Sequence, residues 1–96
     1  MIQSFADPAT RDIWNGIVNA RTRRFPRDLL PIAHRKLDMM HAAADLKDLR
    51  SPPGNRLEEL KGRLRGHHSI RINDQWRIVF RWTPGGPAGV RLLDYH

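Results

Sequence analysis

Arg71, Arg77 and Arg81 fall in one stretch, residues 69–82, SIRINDQWRIVFRW, whose alternation reads as two strands joined at Asn73 to Gln75. Ile70 and Ile72 lie on one face of the first strand, and Trp76, Ile78, Phe80 and Trp82 on one face of the second. The opposite face carries Arg71, Asn73, Arg77, Val79 and Arg81. Guanidinium groups on adjacent strands repel one another unless an anion lies between them. This face is therefore either a surface for phosphate or a solvated outer face with scattered counter-charges. Titratable groups accompany it, at Lys61 and at the pair Tyr95 and His96. Cutting an RNA backbone without a metal uses the substrate 2′-OH as nucleophile and needs a base for its proton, an acid for the leaving 5′-oxygen, and cations for charge building on phosphorus. Lys61, Tyr95 and His96 are candidate proton carriers, with Arg77 the candidate clamp on the phosphate. Tyrosine and lysine titrate far above neutrality when unperturbed, so that role requires neighbouring arginines to lower them. The alternative for Tyr95 is plain packing near a sheet terminus.

Other chemistries fare worse. Glu58, Glu59, Asp74 and Asp94 form no carboxylate cluster that alternation brings together, so no metal or other cofactor is expected. The chain has no cysteine, which removes disulfides, thiolate nucleophiles and Cys-based zinc sites. His34 and His41, seven apart, cannot chelate one ion from a straight helix.

Charge points to a polyanion. The 96 residues hold 17 Lys plus Arg against 10 Asp plus Glu, a formal net charge of +7, and nucleic acid or an acidic protein is the usual partner of so basic a chain. Lysine stands only at positions 36, 47 and 61, and arginine dominance favours forked phosphate recognition over diffuse charge. The segment 62–68, GRLRGHH, is a short basic loop that brings Arg63, Arg65 and His68 toward a phosphate chain or toward solvent. No run approaches a membrane span and the first residues lack a signal-peptide pattern, so no membrane partner and a cytoplasmic location are expected.

Positioning these groups requires one domain, residues 1–96, with a helical part over 7–49 and a sheet part over 55–96. Residues 1–5 form a brief strand. Asp7 before Pro8 predicts a helix running to about Ala20, and the basic cluster Arg21, Arg23 and Arg24 then complements its negative end or contacts RNA. A second helix, with Asp28 as cap, continues to about Ala44 on a stripe of Leu30, Ile32, Ala33, Leu37, Met40 and Ala44. SPPGN at 51–55 breaks helix and announces strands. A strand over 56–60, the hairpin, a turn over 84–88 and a last strand over 89–95 complete an α+β layout, with two helices packed on one face of a small antiparallel β-sheet. Tyr95 falls on the arginine face, and His96 ends the chain beside it.

The succession SPPGNRLEELKG, HHSIRINDQWRIVF and a terminal DYH resembles the HigB toxins of the RelE-like superfamily of bacterial type II toxin-antitoxin systems. The resemblance implies an endoribonuclease that enters the ribosomal decoding site, cuts mRNA there and stops translation, contacting ribosomal RNA. It also implies a HigA-type antitoxin, a DNA-binding protein that holds the toxin inactive and represses the shared operon with it. By position, Lys61 of LKG matches a catalytic lysine, Arg77 of QWR the arginine that stabilises the scissile phosphate, and Tyr95 with His96 the terminal active pair. Glu58 stands where some members carry histidine, and Asn73 where some carry arginine. Glu58 then replaces a proton carrier, and Arg71, two residues from Asn73, supplies the cation; such changes move positive charge relative to the transition state and imply a milder toxin. Two other functions fit the same residues: a non-catalytic RNA- or ribosome-binding module, and a basic interaction protein neutralised by an acidic partner.

Overall fold

The computed structural model describes residues 1–95. Asp7 is extended, its carboxylate accepts a hydrogen bond from the Thr10 N–H at 2.8 Å, and Pro8 takes the first helical position of α1, Pro8–Trp14. The helix stops well short of Ala20 because Asn15 and Gly16 close it, with Gly16 left-handed at φ 72° and the Ile17 N–H bonded back to the Asp12 carbonyl at 2.9 Å. The basic cluster consequently does not sit in the last turn of α1. Arg23 and Arg24 belong to a separate 3-10 turn, Thr22–Arg24, and Arg21 folds back onto Asp12 at 2.8 Å.

Asp12 holds this return loop. Its carboxylate accepts from Asn19 Nδ2 and Arg21 Nη1, each at 2.8 Å, and the Asn19 bond, with the bond and charge of Arg21 behind it, holds its pKa below the usual carboxylate value against the opposing effect of burial. A carboxyl whose folded pKa is depressed adds stability above its unfolded pKa, about 3.9, and loses it as pH falls through the lower folded value. Acid titration of Asp12→Asn should therefore show a shallower loss of melting temperature below pH 4 than the parent chain; identical slopes would rule out this anchor.

Helix α2, Leu29–Ala42, starts one residue after Asp28, whose side chain makes no capping bond. It buries Leu29, Ala33, Leu37 and Met40, as the stripe predicts in part, while Ala44 lies exposed beyond its end. Trp14 packs its ring against His34 and His41 at 5.7 and 5.1 Å, joining the two helices.

The sheet has four antiparallel strands in sequential order: β1 Glu58–Glu59, β2 His68–Arg71, β3 Trp76–Thr83 and β4 Gly86–Asp94. Ile70, Ile78, Phe80, Val90 and Leu92 cover one face and pack with Ile13, Leu29, Leu37 and Met40 of the helices. Both the first and last strands differ from expectation. β1 keeps only two residues of 56–60, because Arg56 is left-handed at φ 45°. β4 begins at Gly86 instead of after a turn over 84–88. Pro87 is tolerated because its carbonyl accepts from the Gln3 N–H at 2.8 Å, so its backbone polar side faces outward and takes nothing from β3. The N-terminal residues are no full strand; they run along β4, with a single parallel bridge between Phe5 and Val90. Their closeness makes Gly86 necessary, since a Cβ there would stand 2.2 Å from the Met1 carbonyl oxygen.

The second face is not fully open. Val79 and Leu60 are 0 % and 4 % exposed yet belong outside the helix-facing core. A small apolar floor thus lies beneath the arginines.

Candidate active site

The hairpin turn decides which side chains meet. Asn73 Oδ1 accepts from the N–H groups of Gln75 and Trp76, each at 2.8 Å, and this closure registers Arg71 opposite Arg77. Across the sheet, Glu58, Ser69, Val79 and Arg91 form one cross-strand row, and Arg71, Arg77 and Leu93 the next. Alternation from Leu93 brings Tyr95 to the same face, where its ring centre lies 5.5 Å from Arg77 Cζ.

Arg77 is the centre of this surface and is only 8 % exposed. Its Nε donates to Ser69 Oγ at 2.7 Å; its Nη2 donates to the Arg56 carbonyl at 2.7 Å and the Ser69 carbonyl at 3.3 Å. Glu58 Oε2 lies 3.7 Å from the same Nη2. Nη1 has no hydrogen-bond partner among the described residues. Burial lowers the guanidinium pKa; Glu58 and Tyr95 oppose that shift, while Arg71 and Arg56 add to it. Arginine stays protonated regardless. The result is a permanent cation, fixed in direction by neutral acceptors, whose positive neighbours are only partly balanced. Such a site favours one more anion.

The other sequence candidates divide. Glu58, Arg71 and Tyr95 gather around Arg77. Arg71 is partly occupied by an ion pair with Asp74, and the Asn73 oxygen is engaged in the turn. Lys61 is exposed at the start of the 3-10 turn Gly62–Leu64, with Arg63 and Arg65 beside it, and among the described residues none of the three shares a hydrogen bond or ion pair with Arg77. Arg81 is exposed beyond a bulge in β3, about 13 Å along the strand from Arg77. His68 lies on the helix-facing side, in register with Phe80 and stacked on it at 6.3 Å, so it does not share the arginine face. His96 lies outside the described residues.

Two contributors were not singled out by sequence, Ser69 and Arg56. Ser69 was findable, since alternation with Arg71 puts it on the arginine face. The left-handed Arg56 leaves no such signal, because no glycine marks it.

A similar fold is found in a solved structure. The YoeB-YefM complex from Staphylococcus aureus aligns with a TM-score of 0.61 over 100 % of this chain and 98 % of the other, at 16 % identity, and so shares the fold. This two-helix, four-stranded α+β chain is of the RelE-like toxin class, as a family model shows. The family model for the RelE-like toxin of type II toxin-antitoxin system HigB matches residues 4–96. Toxin HigB-1 of Vibrio cholerae serotype O1 is 46 % identical over 76 residues, 79 % of each chain. A protein of Haemophilus influenzae, described as uncharacterized, is 41 % identical over 59 residues, covering 62 % of this chain and 58 % of its own. The chain belongs to the HigB family of RelE-like toxins, in which a toxin is paired with an antitoxin.

Proposed function

We propose that this chain is a ribosome-dependent mRNA endoribonuclease that cuts by attack of the substrate 2′-OH and needs no metal. The observation that carries the reading is Arg77, a buried cation held by three protein acceptors with one nitrogen left over, and with Tyr95 and Glu58 close to the same guanidinium. In the reaction, the 2′-oxygen bonds to phosphorus, the bond from phosphorus to the 5′-oxygen breaks, and the products end in a 2′,3′-cyclic phosphate and a 5′-hydroxyl. Arg77 and Arg71 stabilise the charge on phosphorus. Tyr95 and Glu58 flank the clamp and are the proton carriers its geometry favours; Lys61 and His96 are assigned as catalytic by resemblance. Among the described residues no three His, Cys, Asp or Glu side chains converge to hold a metal ion, so charge stabilisation is assigned to guanidinium groups. Arg63, Arg65 and Arg81 extend the basic surface toward mRNA and ribosomal RNA, and a HigA-type, DNA-binding antitoxin is the neutralising partner in the cytoplasm.

Primer extension on mRNA from cells expressing the chain tests this. The enzyme reading expects codon-phased cuts with 5′-hydroxyl ends, lost in an Arg77→Ala, Tyr95→Ala double variant. Growth arrest without cuts would instead make it a binding module, and neither effect would leave only a basic partner protein.

Tyr95→Phe isolates the hydroxyl. The ring remains beside Arg77, so the melting temperature should hold, whereas single-turnover cleavage on programmed ribosomes should fall about 100-fold. Equal rates in the two proteins would remove Tyr95 from proton transfer and leave the Arg77 clamp standing.

A further inference from the structure

Lys36 lies in the middle of α2, on the helical side of the molecule, and is only 8 % exposed. Its ammonium donates to Asn55 Oδ1, its sole hydrogen-bond partner among the described residues, and no carboxylate pairs with it there. An ammonium buried without a counter-ion is an expensive way to fill a helix position, and a methionine of similar length would fill it without desolvating a charge. Simple packing therefore does not account for it.

Asn55 is fully buried at the end of the 3-10 turn Pro53–Asn55. Its amide nitrogen donates to the carbonyls of Leu49 and Ser51, at 3.1 and 3.3 Å, and contacts Met39 Sδ at 3.1 Å. With its oxygen taken by Lys36, the whole amide is oriented from α2 and from the segment before the turn. The next residue is Arg56, left-handed at φ 45° and ψ 56°, whose carbonyl receives Arg77 Nη2 at 2.7 Å. A non-glycine residue keeps that conformation only where its surroundings over-determine it, and the residue immediately before it is the anchored Asn55.

We infer that Lys36 is a positioning residue for the Arg77 clamp, acting through the Asn55 amide and the Arg56 carbonyl. The helix thereby sets the direction of a guanidinium on the opposite face of the sheet. Burial, followed by the charges of Arg35 and Arg71, lowers the Lys36 pKa. The kinetic consequence rests on the nuclease reading above; the structural one does not.

The test uses the intact chain and the Arg77 Nε–H resonance in a nitrogen-15 spectrum, together with single-turnover cleavage on programmed ribosomes. Lys36→Met should shift that resonance, speed its exchange with solvent at least tenfold, and slow cleavage roughly tenfold or more through misplacement of the clamp. Ala33→Gly, which weakens the same helix at a buried site away from Asn55, controls for stability and should move neither readout. Should Lys36→Met not fold, Met39→Leu withdraws a different Asn55 contact at nearly constant volume and should shift the same resonance in the same direction. An unmoved resonance in a folded Lys36→Met or Met39→Leu chain overturns the inference, as does an equal shift in Ala33→Gly. Wild-type chain that cuts no mRNA would sink the nuclease reading while leaving the resonance comparison to decide the positioning role.

Discussion

Arg77→Ala should abolish most mRNA cleavage, lowering the single-turnover rate on programmed ribosomes by about 100- to 1,000-fold, the usual loss when a fixed donor to a developing oxyanion is removed. The same change should lower stability by about 2 kcal/mol, because the Ser69 hydroxyl and the Arg56 carbonyl lose a charged donor. Release of a buried charge offsets part of that cost. The two effects separate in Arg77→Lys, which keeps the charge but cannot span Ser69 and Arg56 with one planar fork. Its rate should stay below about one tenth of wild type at a temperature where the chain is fully folded. A lysine variant that cuts at the wild-type rate would show that charge alone suffices, and the oriented-clamp reading would fail.

Phe80→Ala should have the largest effect on folding. The ring is fully buried in the helix-facing core, stacks on His68 and packs among residues from both helices and all three long strands. Truncating such a side chain costs about 3–5 kcal/mol, against a total of about 5–15 kcal/mol for an ordinary domain. Chemical denaturation should show a midpoint lowered by about a fifth or more, and a change below about 1 kcal/mol would mean that the core collapses around the gap.

The parts of the fold that were legible in sequence are those governed by neighbours along the chain. Strict alternation in the hairpin separated Ile70 and Ile78 from Arg71 and Arg77, and Asp7 before Pro8 marked where α1 starts. The end of α1 was also written locally, in Asn15 and Gly16, but Ile17 continued the apolar pattern and masked it; the chain instead leaves Ile17 and Val18 exposed. Pro87 looked like part of a turn because its acceptor role depends on Gln3, which lies at the other end of the sequence. His68 has the parity of Ile70, so its place on the helical face was available and was overridden by the basic composition around it.

The candidate site follows the same division. Arg77, Arg71 and Tyr95 could be grouped by period alone. The frame that aims Arg77 could not, since it depends on a left-handed backbone at Arg56 and on a buried lysine from a helix, neither of which has a local signature. Lys61, Arg63 and Arg65 carry the right charge for the role assigned to them, and their turn leaves them exposed.

The two borders of the sheet also bear on how the molecule behaves in company. Residues 3–6 occupy backbone groups along the outside of β4, and on the opposite border only a two-residue ribbon, β1, is available. Among the described residues another copy therefore finds no long row of vacant amides and carbonyls at these borders on which to extend the sheet. Growth of the sheet by strand addition is thereby disfavoured at both borders of a toxin of this shape.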